Sequence, residues 1–174
     1  MGGDSSAVAD QLQNVKEIQA SQGAFAAICH DGTVVTWGSV AYGGNSSAVQ
    51  AQLSQVQKIQ ATDFSFAAIR LDGSVVTWGA GQFGGFCEAD LREVLHIQST
   101  RSAFAAIRAN GSVVTWGAAE EGGDSSAVQD KLHNVVHVQA TGRGFAAILA
   151  DSSVVTWGGG ESASYNQYTC CLND

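Results

Sequence analysis

A single pentapeptide, Val-Val-Thr-Trp-Gly, occurs four times in this chain and ends at Gly38, Gly79, Gly117 and Gly158. Its copies lie 41, 38 and 41 residues apart and contain every tryptophan of the protein: Trp37, Trp78, Trp116 and Trp157. A fixed period in this range signals a repeat architecture, in which each unit buries its apolar face against a neighbour. The recurring residues, these Trp and Gly positions first among them, are therefore scaffold. Specific activity belongs to positions that differ between copies. The units run over 1–38, 39–79, 80–117 and 118–160, and 161–174 reads as a terminal cap or tail.

Within a unit, a short helix is expected after the glycine pair, from Gly2-Gly3-Asp4-Ser5-Ser6, Gly43-Gly44-Asn45-Ser46-Ser47 and Gly122-Gly123-Asp124-Ser125-Ser126. Asp or Asn followed by Ser is an N-cap signal, and Val8/Leu12, Val49/Leu53 and Val128/Leu132 are spaced to share one helix face. A strand follows, from Val15, Val56, Val94 and Val135. Its recurring Gln19, Gln60, Gln98 and Gln139 are expected to satisfy buried backbone groups. Next comes Phe-Ala-Ala-Ile, from Phe25, Phe66, Phe104 and Phe145, whose alanines suit close approach of stacked sheets. Asp31-Gly32, Asp72-Gly73 and Asn110-Gly111 then signal a hairpin with φ above zero at both turn positions. The fourth copy has Asp151-Ser152, which predicts a strained or altered turn. Val-Val-Thr-Trp closes each hairpin. The third copy has nine residues from Gly85 to Val94 against twelve elsewhere, a deletion that falls in the helix and not in a strand.

This unit resembles the regulator of chromosome condensation repeat, with its x-Asp-Gly-x-Val-x-x-Trp-Gly hairpin and following Gly-rich turn. The resemblance extends over nearly all of residues 2–160. It implies a β-propeller, usually of seven blades in that family, and the short period is nearer the three-stranded blades of the bacterial β-lactamase-inhibitor propeller. The expected fold is thus all-β: four short three-stranded blades with helical connectors. Four units cannot complete a seven-bladed ring, so an open or partial propeller is expected. Similar repeats serve as docking domains in HECT-type ubiquitin ligases. The family's nucleotide-exchange activity depends on a wedge-like insertion. None is visible here, and no catalytic residue is carried over.

Charge narrows the function further. Eight Lys and Arg against 16 acids give a net charge of −8, which argues against nucleic-acid phosphate or anionic membrane as a partner. No apolar run approaches the ~18 residues needed to span a bilayer. With no secretory leader visible, the expectation is an intracellular chain, soluble or peripheral, with free thiols at Cys29, Cys87, Cys170 and Cys171. His133 and His137 are four apart but straddle the expected helix–strand junction, so no metal site is assigned, and no cofactor motif is present.

Candidate recognition residues lie in the variable loops between the first and second strands: Phe64, Arg101 and Arg143. Tyr42 and Phe83, just after the Trp-Gly turns, are expected on a common rim. Aromatic and Arg side chains are the types enriched at binding hot spots. The competing reading is an ordinary solvated loop. The expected function is a non-catalytic protein-interaction module. Alternatives are an accessory subunit packed in a larger assembly or homo-oligomer, and a small-GTPase regulator or ligase-associated docking domain.

Overall fold

Phe-Ala-Ala-Ile forms the middle strand of each of four separate three-stranded antiparallel sheets, in which sequential strands pair in order. In this computed structural model, which describes residues 2–159, blade 1 comprises β1 (Val15–Ala20), β2 (Ala24–Cys29) and β3 (Val34–Gly38). Blade 2 comprises β4 (Val56–Ala61), β5 (Ser65–Arg70) and β6 (Val75–Gly79). Blade 3 comprises β7 (Val94–Ser99), β8 (Ala103–Arg108) and β9 (Val113–Gly117). Blade 4 comprises β10 (Val135–Ala140), β11 (Gly144–Leu149) and β12 (Val154–Gly158). The cap or tail expected over 161–174, with Cys170 and Cys171, lies outside the described residues.

Each first strand carries a β-bulge: Val15 pairs with Cys29 but Glu17 with Ile28, leaving Lys16 over, and Gln57, Leu95 and Val136 are its counterparts. The extra residue reverses the inside–outside parity of the strand. That is why Val15 and Ile18, three apart, share one face, as do Val56 and Ile59. It also leaves Leu95 and Val136 exposed.

The core lies between successive sheets. Ala24, Ala26, Ile28 and Val34 on the back of blade 1 meet Val56, Ile59, Phe66 and Trp78 on the front of blade 2. The same pattern joins Ala67 and Ile69 to Ile97, Phe104 and Trp116, and Ala105 and Ile107 to Val138, Phe145 and Trp157. The paired alanines let the backbones approach, and the Phe and Trp rings fill the space opposite. The Phe of each Phe-Ala-Ala-Ile strand stacks on the Trp of its own blade with centroids 5.1–5.3 Å apart. The indole Nε1–H then crosses to the neighbouring unit: Trp78 donates to the Gly43 carbonyl, Trp116 to Gly84 and Trp157 to Gly122, at 3.0–3.1 Å. Trp78, Trp116 and Trp157 thus bind their own hairpins through the ring and the previous unit through the N–H. The array is an open propeller arc, with a shared core at each of the three consecutive junctions.

Three local expectations are corrected. The connectors are 3₁₀ helices, Ser6–Gln11, Gln50–Gln52 and Ser126–Lys131, with i→i−3 bonds such as Val128 N–H to the Ser125 carbonyl at 2.9 Å. Such short runs give too few i→i−4 bonds to offset helix nucleation. Asp4, Asn45 and Asp124 accept an N–H from the residue two positions on, at 2.8–3.0 Å, as Asx turns ahead of the helix. The hairpins place positive φ at one residue only: Gly32 at 79°, Gly73 and Gly111 at 76°, and Ser152 at 69°. They are type I turns closed by a left-handed residue, with Gly32 N–H bonded to the Cys29 carbonyl and Cys29 N–H to the Thr33 carbonyl, both at 2.9 Å. The fourth turn keeps this shape and has Ser152 in the left-handed region. The recurring Gln residues do not serve backbone groups as expected: Gln19 donates to Glu17 and Gln139 bonds His137. They stand where the strand side chain points toward solvent or a strand neighbour.

The third connector has no helix between Gly85 and Val94, whereas all three strands of blade 3 are intact. Leu91, buried, takes the place of Leu53 and Leu132, and its carbonyl accepts Val75 N–H at 3.1 Å.

Candidate protein-interaction rim

Two sets of loops converge on one rim. The loops after β1, β4, β7 and β10 carry Ser21, Thr62, Thr100 and Thr141 at the same position. Each hydroxyl bonds the carbonyl three residues on, which tightens the loop. It also reaches the turn that follows the Trp-Gly pair: Ser21 donates to the Tyr42 carbonyl at 2.7 Å, Thr62 to Phe83 at 3.3 Å and Thr100 to Glu121 at 3.1 Å. In blade 2, Ser65 adds a second hydroxyl on the Phe83 carbonyl at 2.5 Å.

Backbone bonds then link the loops across blades. Gln22 N–H donates to the Asp63 carbonyl, Asp63 N–H to Arg101 and Arg101 N–H to Gly142, at 2.8–3.1 Å. The rim is therefore a continuous hydrogen-bonded spine. The Ser or Thr that anchors it stands in all four copies, and that recurrence inside otherwise variable loops was the available signal for it.

On this frame the structure gathers three of the five expected recognition residues. Tyr42 stacks on Phe64 with centroids 5.5 Å apart and planes at 16°, and Phe64 meets Phe83 at 4.5 Å and 32°. The row begins over Gly23, where an added Cβ would stand 2.7 Å from the Tyr42 ring. All three rings are half-buried, each with one side on the rim. The two arginines lie further along and apart from the row. Arg101 passes over Gly142, and Arg143 faces Glu121 at 3.6 Å. That ion pair is solvent-exposed on the Arg side and is worth only about 0–1 kcal/mol. The scaffold glycines sit directly beneath. At Gly79, φ is 110° and a Cβ would meet the Ser65 Cα at 2.7 Å, so the chain can leave the Trp strand only through glycine.

The opposite rim holds the hairpin tips. Asp31, Asp72 and Asp151 each accept the hydroxyl and the N–H of the Ser or Thr two residues on. Those hydroxyl bonds, then the N–H bonds, hold the three carboxyls below the ordinary value of 3.8. Asn110 makes the same two contacts without charge. Gly32, Gly73 and Gly111 rest on the next blade's Gln55, Glu93 and Asn134, themselves left-handed at φ 53–55°.

Among the described residues no group of His, Cys, Asp and Glu is placed to hold a metal ion. His133 bonds the Asp130 carbonyl and His137 bonds Gln139, so the two do not converge. Cys29 is a buried free thiol, and burial pushes the half-buried Cys87 thiol up. No described helix is long and apolar enough to cross a membrane.

No protein-family model matches the chain, and no curated protein matches it in sequence. Solved structures do match in fold. Prp20p of Saccharomyces cerevisiae, the yeast RCC1, aligns with a TM-score of 0.61 at 15% identity over 88% of this chain and 46% of that one. Human WBSCR16 aligns at 0.55 and 15% over 83% and 47%. The ectodomain of the Physcomitrella patens receptor kinase CR4 aligns at 0.56 and 20% over 82% and 40%. This chain spans less than half the length of each of these structures. At such identities the likeness is one of fold, and the fold is the RCC1-like propeller that the hairpin motif anticipated.

Proposed function

We propose that this RCC1-like propeller arc is a non-catalytic protein-interaction module whose contact surface is the loop rim. The observation that carries the reading is the Tyr42–Phe64–Phe83 row, three rings stacked on a hydrogen-bonded loop frame. Rings held on a rigid frame present apolar area with little left to order on binding. Arg101 and Arg143 extend the surface with planar donors suited to carboxylates or backbone carbonyls. Prp20p, similar in fold, is described by its binding to Gsp1p and histones. This supports a protein as the class of partner here.

The test is capture of cellular proteins by the tagged chain, with two variants in parallel. Phe64→Ala/Arg101→Ala/Arg143→Ala changes the rim, and Leu71→Ala changes an exposed apolar residue on the opposite rim. Partners retained by Leu71→Ala and lost by the triple variant are expected. Capture unchanged by the triple variant sinks the assignment.

A further inference from the structure

The two ends of the arc are unfinished in complementary ways. Ile18 on the front of blade 1 is 52% exposed, whereas Ile59, Ile97 and Val138 at the same repeat position are 0–1% exposed. On the back of blade 4, Ile148 and Val154 are 41% and 60% exposed. Their counterparts Ile28 and Val34 are at 0–1%. At every internal junction a back face of this kind is covered by a front face of this kind.

Hydrogen bonding ends in the same way. Each internal junction has a rim bond, such as Arg101 N–H to Gly142, and a tip bond, such as Val135 N–H to Gly111. Among the described residues the Gly142 N–H and Gln22 carbonyl lack the inter-blade rim partner, and the Val15 N–H and Ser152 carbonyl lack the inter-blade tip partner. Donor and acceptor are distributed so that the blade 4 rim donates to blade 1 and the blade 1 strand donates to the blade 4 tip. The connector before β1 follows suit. Leu12 is half-buried where Leu53 and Leu132 are buried. Ser5 is the counterpart of Ser46 and Ser125, whose hydroxyls bond Thr36 and Thr115, and Thr156 of blade 4 is the matching residue, with no such hydroxyl beside it among the described residues.

We propose that two copies of this chain associate head to tail, each blade 1 front on the other copy's blade 4 back, closing a ring of eight blades. A head-to-tail contact gives a ring only when the rotation closes, and eight blades are within the range that propellers adopt. One position resists. At internal tips an added Cβ would stand 2.9–3.2 Å from the next blade's Cα, and blade 4 has Ser152 there. Ser152 must shift slightly against Asn14 of the second copy. This inference concerns the ends of the arc and stands apart from the rim reading.

The experiment is light scattering of the full chain across a concentration series. A dimer of twice the 17.9 kDa chain mass is expected. Ile18→Asp and Val154→Asp, each at an already exposed residue, should return it to monomer with an unchanged circular dichroism spectrum. Leu71→Asp should remain dimeric, and Ser152→Gly should tighten the dimer several-fold. A monomer at all concentrations overturns the proposal. So does an open-ended series of oligomers, a dimer that survives Ile18→Asp, or a Ser152→Gly variant with unchanged affinity.

Discussion

Gly111 and Ser152 occupy the same hairpin position, and the difference between them follows from what lies beyond each tip. Gly111 has φ 76° and would place a Cβ 3.0 Å from the Asn134 Cα of the next blade. Gly111→Ala is expected to cost about 2–3 kcal/mol, from left-handed strain and the forced retreat of Asn134. A shift of the urea midpoint with unchanged slope would measure it, and a shift equivalent to under half that cost would show that the junction yields. The aspartates beside these glycines make a pH prediction. Folded Asp31, Asp72 and Asp151 have carboxyl values below the ordinary 3.8. Folding is therefore favoured above the unfolded value, and that contribution is lost as pH falls through the folded one. Stability should drop on acidification below about pH 4. Asp31→Asn/Asp72→Asn/Asp151→Asn should flatten that acid limb while keeping the turns, since Asn110 already makes the same contacts. An acid limb of unchanged steepness in the triple variant would remove these carboxylates from the account.

At the scale of the blade, one repeat position gives its own control. Ile97 is 1% exposed between blades 2 and 3, and Ile18 stands on an open face. Ile97→Ala should cost about 2–5 kcal/mol. Ile18→Ala, measured on dilute monomer by the same denaturation, should cost well under half of that. Equal costs would mean that burial between sheets does not govern stability here. Much of this element was legible in the chain: Asp-Gly marked the hairpins, Phe-Ala-Ala-Ile the middle strands, and the nine-residue gap the missing connector. What was not legible has a physical cause in each case. Val15 and Ile18 are three apart in a strand, a spacing that only the bulge reconciles with pairing. The Val8/Leu12 spacing suits an α-helix, but the run is too short to form one. The Tyr42–Phe64–Phe83 row joins residues of different units, so no local pattern announces it. Arg101 and Arg143 share the rim but not the row, because Gly142 and Glu121 hold them elsewhere.

For the molecule as a whole, the cores among the described residues join consecutive blades. The spine formed by Gln22, Asp63, Arg101 and Gly142 runs in single file from blade to blade, and the tip bonds of Val56, Val94 and Val135 run beside it in the same order. Such an array loses order in the manner of a zipper, from whichever end is open. Hydrogen–deuterium exchange should thus report position along the file. The β5 and β8 amides, in the two blades with a neighbour on each side, should exchange slowest, and those of β2 and β11 sooner. A closed ring has no first tooth: under conditions that hold two copies together the gradient should level, and the protein would open at any of its junctions with equal ease.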